Sequence, residues 1–169
     1  HAPVQGTFHL ERVPVEDALK AICYHEEASR LDPHYALAYA KLSYAAEFLD
    51  TRFGGVTPKE KAELTSKARA AAAQALALDS NLAEAHLAQG RLLADIDFNF
   101  TAAETELRRA VALALQNAPG TAALALLPSS LGPLEEGVAL TQRAIALAPL
   151  RIRSHFNLAT YLPALRPYH

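Results

Sequence analysis

Four alanines set the period of this chain. Ala28, Ala75, Ala110 and Ala144 are each followed three residues later by a leucine: Leu31, Leu78, Leu113 and Leu147. The last two intervals are close to a period of roughly 34 residues, and the first is longer by about a dozen. Between these marks the apolar residues recur at helical spacing. A chain of this kind repeats a helix–turn–helix unit that cannot bury its apolar face alone, so successive units must stack.

The unit is plainest from Leu82 to Leu113, LAEAHLAQGRLLADIDFNFTAAETELRRAVAL. Ala85, Ala88, Leu92 and Ile96 share one helical face, and Ala103, Leu107, Ala110, Val111 and Ala114 share another. Asn81 with Glu84, and Thr101 with Glu104, have the spacing of reciprocal caps at the two helix starts. Gly90 interrupts the first helix at a cost of about 1 kcal/mol relative to Ala. A neighbouring helix that approaches closely would offset this. Ala110 belongs to the same close-packed set, and a charge there is predicted to be severely destabilising.

The small residues recur in register. Ser43, Gly90, Ala125 and Ala159 hold one position of the first helix; Ala21, Ala68, Ala103 and Gly137 hold one of the second. With the run AICYHEEASRLDP from Ala21 to Pro33, this pattern resembles the tetratricopeptide repeat (TPR). Two features depart from it. Tyr39, His86, Thr121 and His155 stand where the family favours Trp, and Leu115 replaces an expected proline. The resemblance implies an all-α, right-handed α-solenoid of antiparallel helix pairs, with about four to five repeats and nine or so helices. The chain reads as a single domain, 1–169, with repeats near 2–33, 34–80, 81–115 and 116–149 and a partial one at 150–169.

In chain order, Ala2–Arg12 reads as a weak first helix, and a second runs from Pro14 to about Arg30. The third spans roughly Pro33–Asp50. Thr51–Val56 is a long connection, and its Gly54-Gly55 pair reads as a turn. Thr57-Pro58-Lys59-Glu60 then opens an unusually long helix expected to project past its neighbours. Pro128 predicts a kink or early end in the first helix of the fourth repeat. Pro163 predicts fraying in the last helix, about Arg151–Leu165, whose partner helix is missing. Solenoid ends need caps, so the natural protein is expected to continue or to be covered by another chain there. The absence of Met, even at the first position, points the same way.

A finer likeness rests on the long connection, on SKARAAAAQALALDSNLAEAHLAQG, and on the Asp97-Phe98-Asn99-Phe100 turn before Thr101. These resemble the C-terminal repeat region of bacterial regulators that carry a winged-helix DNA-binding or adenylyl-cyclase-type domain. No such effector domain lies in this sequence.

Composition narrows the function. Hydrophobic residues make up 51%, much of it alanine, which suits a thin stack of closely packed helices. A net charge of −2 gives no basic footprint, so nucleic acid is not an expected partner. No apolar run reaches the ~18 residues of a membrane span, no signal peptide is visible, and a cytoplasmic location is expected. The single cysteine, Cys23, allows no internal disulfide and reads as a small core residue.

Chemistry-bearing motifs are missing. The seven histidines include no pair at helical ligand spacing and no HExxH, so neither metal nor cofactor is expected. His86 and His155 share a repeat position and read as packing residues. Glu135 and Glu136 are explained by a helix start, and Arg108 by an i, i+4 pair with Glu104. No nucleophile has an identifiable base, so the chain reads as a non-enzyme.

Function then falls to the concave face that stacked pairs create. The resemblance implies that first helices line it. Carried over, this selects Leu37, Ala40, Tyr44 and Glu47, then Glu84, Leu87, Arg91 and Ala94, then Arg153, Phe156 and Thr160. Tyr44, Arg91 and Phe156 stand out because aromatic and Arg residues dominate interface energetics. Arg91→Glu is expected to weaken partner binding and leave melting nearly unchanged. Some family members grip a carboxylate with Lys and Asn on this face. Here Ala40, Tyr44, Leu87 and Arg91 occupy those places, so that clamp is not expected. The expected role is a protein-interaction scaffold holding a protein or peptide. The alternatives are a sensory module of a larger bacterial regulator or cyclase, and a self-association device using the uncapped final helix.

Overall fold

A computed structural model describes residues 15–52, 56–127 and 134–149, with the short helical stretches 154–155 and 158–159. Among them are seven helices and no strand: α1 (Val15–Leu31), α2 (Ala36–Arg52), α3 (Pro58–Leu78), α4 (Ala83–Asp95), α5 (Phe100–Leu113), α6 (Ala118–Ala125) and α7 (Leu134–Leu147). This is fewer than the nine or so expected. The expected helix at Ala2–Arg12 and most of the one at Arg151–Leu165 lie outside the described residues, as do Gly54-Gly55 and Pro128.

Each helix packs on its chain neighbour within a pair, α2 on α3, α4 on α5 and α6 on α7. First helices also pack on first helices, α2 on α4 and α4 on α6. Alanine makes this closeness possible. Ala46, Ala68, Ala72, Ala75, Ala85, Ala103 and Ala110 are fully buried. Gly90 behaves as expected: an added Cβ would lie 2.7 Å from Leu107 Cγ and 3.3 Å from the Ala103 carbonyl oxygen. The lost side chain lets α5 approach α4.

The start of α3 forms as the sequence predicts. The Glu60 amide donates to Thr57 Oγ1 at 3.3 Å, and the Thr57 amide donates to Glu60 Oε2 at 2.7 Å. The residues from Pro58 to Glu63 are exposed, so this 21-residue helix begins clear of its neighbours. The other two expected caps do not form. Leu82 caps α4 without a side-chain bond, and Asn99, two residues upstream of Thr101, caps α5 by accepting from the Ala102 amide. α6 ends at Ala125, before Pro128, with only 8 residues.

Two corrections concern single residues. Cys23 is exposed on α1 rather than a core residue. His86 and His155 are hydrogen-bonded rather than only packed. Their Nε2 atoms reach the carbonyls of Ser80 (2.9 Å) and Pro149 (2.8 Å), each six residues upstream. A carbonyl only accepts, so Nε2 carries the proton in both. The shared position is therefore a tether onto the preceding turn.

Second helices are linked across layers by ion pairs. Lys67 on α3 donates to Glu26 on α1, and Arg108 on α5 donates to Glu136 on α7 at 2.8 Å. Arg108 also pairs with Glu104, as expected. Glu26 and Arg108 each lie two residues before the repeat alanine; Lys67 and Glu136 each lie eight before it. The same two positions thus carry the pair in both layers, with opposite polarity. In the middle layer they are Ala73 and Ala102.

Candidate functional site

The first-helix face is built from α2, α4 and α6. On α2, Leu37 and Tyr44 are half-buried, whereas Ala40 and Glu47 are buried. On α4, Glu84 and Ala94 are half-buried and Leu87 is buried. Leu87 joins a core cluster with Leu107, Ala110, Ala123 and Leu124. Arg153, Phe156 and Thr160 lie outside the described residues.

The centre of this face is an ion-pair cluster between α2 and α4. Arg91 Nε donates to Glu47 Oε2 at 2.8 Å, and Nη2 donates to Glu47 Oε1 at 3.1 Å. Nη2 also reaches Asp95 Oδ2 at 3.2 Å, one helical turn on. The guanidinium lies 5.0 Å from the centroid of the Tyr44 ring, a cation–π distance. Tyr44 in turn stacks on Phe48, with centroids 6.3 Å apart. Glu47 Oε1 also accepts from the Thr51 hydroxyl, and Asp50 accepts from Thr65 on α3 at 2.7 Å.

Burial controls the electrostatics here. The Glu47 side chain is 1% exposed and that of Arg91 12%. Burial pushes the Glu47 carboxyl above its ordinary value, against the opposing pull of Arg91. The structure thus joins three residues selected from sequence, Tyr44, Glu47 and Arg91, into one unit. It reverses the expectation that Arg91→Glu would leave melting nearly unchanged, because Arg91 compensates a buried charge. Sequence reasoning missed Asp95, although its i, i+4 spacing from Arg91 was a usable signal.

Beside this cluster lies a crevice of about 60 Å³. Arg91, Ala94 and Asp95 form one wall; Phe100, Leu107, Ala123, Leu126 and Leu127 form the rest. Phe98 stands next to it, 69% exposed, with its ring edge-to-face on Phe100 at 6.3 Å. Its φ of 53° is left-handed, an outlier for a bulky side chain. No group of three or more His, Cys, Asp or Glu able to hold a metal occurs among the described residues. No helix among them is long and apolar enough to cross a membrane.

No family model and no curated protein matches the sequence. Solved structures do match. A thermophilic TPR protein of Thermus thermophilus, TTC0263, superposes with a TM-score of 0.68 at 24% identity, over 88% of this chain and 78% of that one. MamA gives 0.58 at 23%, over 88% and 79%. YrrB, described as a TPR protein with an unusual peptide-binding site, gives 0.53 at 17%, over 89% and 70%. At these identities the likeness is one of fold: the helix pairs of this chain are stacked as in tetratricopeptide-repeat proteins.

Proposed function

We propose that the chain is a non-enzymatic protein-interaction scaffold that holds a peptide or helix of a partner on its first-helix face. One observation carries this reading. α2, α4 and α6 pack side by side, and their face offers half-buried Leu37, Tyr44, Glu84 and Ala94 around a rigid ion-paired centre. Aromatic anchors on a rigid frame are what an interface uses for affinity. The peptide-binding site named for YrrB supports the same use of a similar fold. The crevice at Arg91 is itself far below the ~300 Å³ where small-molecule sites begin, which suits a side chain of a peptide better than a whole ligand. A regulatory module that packs on an attached domain would use the same face, and the likeness to bacterial regulators supports that second reading.

The test is selection of random displayed peptides on the intact chain. Enriched peptides are then titrated by calorimetry against wild type and Tyr44→Ala, with circular dichroism as the folding control. Weakening of about tenfold or more by the folded variant supports the reading. Unchanged affinity moves the site off this face, and no enrichment at all overturns the peptide scaffold.

A further inference from the structure

The Glu47–Arg91–Asp95 cluster contains a contact that two carboxylates cannot make. Arg91 donates to both acids. The Glu47 and Asp95 side chains also lie within hydrogen-bonding reach of each other. An ionised carboxylate only accepts, so this bond forms only when one of the two carries a proton. The cluster therefore has two charge states. With both acids ionised, two negative charges share one guanidinium and the cluster is negative. With one proton it is neutral.

Burial decides where that proton goes. The Glu47 side chain is 1% exposed and that of Asp95 34%. A buried acid favours its uncharged form. Glu47 is thus the acid that donates, and Asp95 stays ionised as the counter-charge of Arg91. Burial is the main influence lifting the Glu47 carboxyl; Arg91 opposes it, and Asp95 lifts it further.

The charged groups on the surrounding elements are fixed by other contacts or stand apart. On α2, Asp50 accepts from Thr65 of α3, and Lys41, six residues before Glu47, acts on His25 of α1. On α3, Lys67 binds Glu26 of α1, and Arg69 binds Asp97 beyond the end of α4. On α4, Glu84 stands about two turns before Arg91. α5 presents Phe100 and Leu107 on this side, and α6 has no titratable side chain. A fixed charge such as Lys41 or Glu84 moves the pH at which the proton is taken, not the two states themselves.

The proton acts on a joint between first helices. Glu47 belongs to α2, and Arg91 and Asp95 to α4, which packs beside it. With the proton, Glu47 grips α4 through Arg91 and through Asp95. Without it, the two carboxylates repel across the joint. The Tyr44 ring, which lies over the guanidinium, carries the difference to the surface of the face. We propose that Glu47, Asp95 and Arg91 form a proton-operated switch, in which one proton taken from solvent by Glu47 closes α2 on α4 and its loss loosens them. This holds whatever the face binds.

¹⁵N amide spectra of the full chain test it, recorded from about pH 8 down to 4.5. Wild type is expected to pass between two end states, with the amides of α2 and α4 moving together. Glu47→Gln places a permanent neutral donor opposite Asp95. Its α2 and α4 amides should stay near the acid end state of wild type at every pH. Asp95→Asn removes the second carboxylate, so the Glu47 carboxyl carbon, followed by ¹³C, should titrate at lower pH than in wild type. Circular dichroism checks that each variant folds, and the Asp95→Asn titration decides alone if Glu47→Gln does not. Unmoved α2 and α4 amides in wild type, equal movement in Glu47→Gln, or an unchanged Glu47 titration in Asp95→Asn overturns the switch. Selection of displayed peptides is a separate result, so the scaffold reading stands or falls independently.

Discussion

Arg91 holds the buried centre of the first-helix face together. Its guanidinium neutralises Glu47, which is almost fully out of water. Removing one partner of a buried pair leaves a charge uncompensated and costs about 3–5 kcal/mol. Arg91→Ala is therefore expected to lower the melting temperature sharply. Arg91→Met combined with Glu47→Leu should recover most of the loss, because a well-packed apolar pair often equals a buried ionic one. Thermal melts of the three proteins check this. A second expectation concerns pH. Burial lifts the Glu47 carboxyl above its ordinary 4.5. Its favourable contribution is complete below that value and is lost as pH rises through the lifted one. The melting temperature of wild type minus that of Glu47→Gln should thus fall as pH increases from 4.5. His25 acts oppositely: burial, with Lys41 nearby, holds it below its ordinary 6.5, so its contribution is lost as pH falls below that value.

At the scale of helices, Gly90 sets the closest approach. Gly90→Ala gains about 1 kcal/mol of helix propensity. It also drives a methyl to within 2.7 Å of Leu107 Cγ, and Leu107 is itself 1% exposed. Overpacking costs about 1–3 kcal/mol, so denaturant titration should show a net loss despite the better helix former. This contact was legible before any coordinates, as were the alanine register and the Thr57 cap, because each follows from local spacing. The caps at Asn81 and Thr101 have the same spacing and do not form. Asp79 Oδ1 accepts from the Asn81 amide, and the Asn81 side chain accepts from Arg109. Asn99 stands two residues ahead of Thr101 and takes the cap. Turn chemistry just outside a helix thus decides between equal motifs. The partner of Arg91 was illegible for another reason: Glu47 is 44 residues away, and no periodicity reports which side chains meet across layers.

For the molecule as a whole, the ion pairs between second helices act less through strength than through sign. Both partners are well exposed in Glu26–Lys67 and Arg108–Glu136, so each is worth less than about 1 kcal/mol. Arg108→Glu should lower the melting temperature slightly, and adding Glu136→Arg should restore it, measured at low and high salt to expose the screened part. Their polarity matters more. Exchanging layers would set Glu26 against Glu136 and Arg108 against Lys67, two like-charged contacts in place of two opposite ones. At the joint between α3 and α5 the same two positions hold Ala73 and Ala102, and the ion pair of that layer is Arg69 with Asp97 at the turn before α5. A chain of repeats lengthens by copying units, and a copy is tolerated where its edges meet no conflict. In this stack such a copy would meet a conflict of sign at either charged layer, so the two pairs fix the order of the units they join.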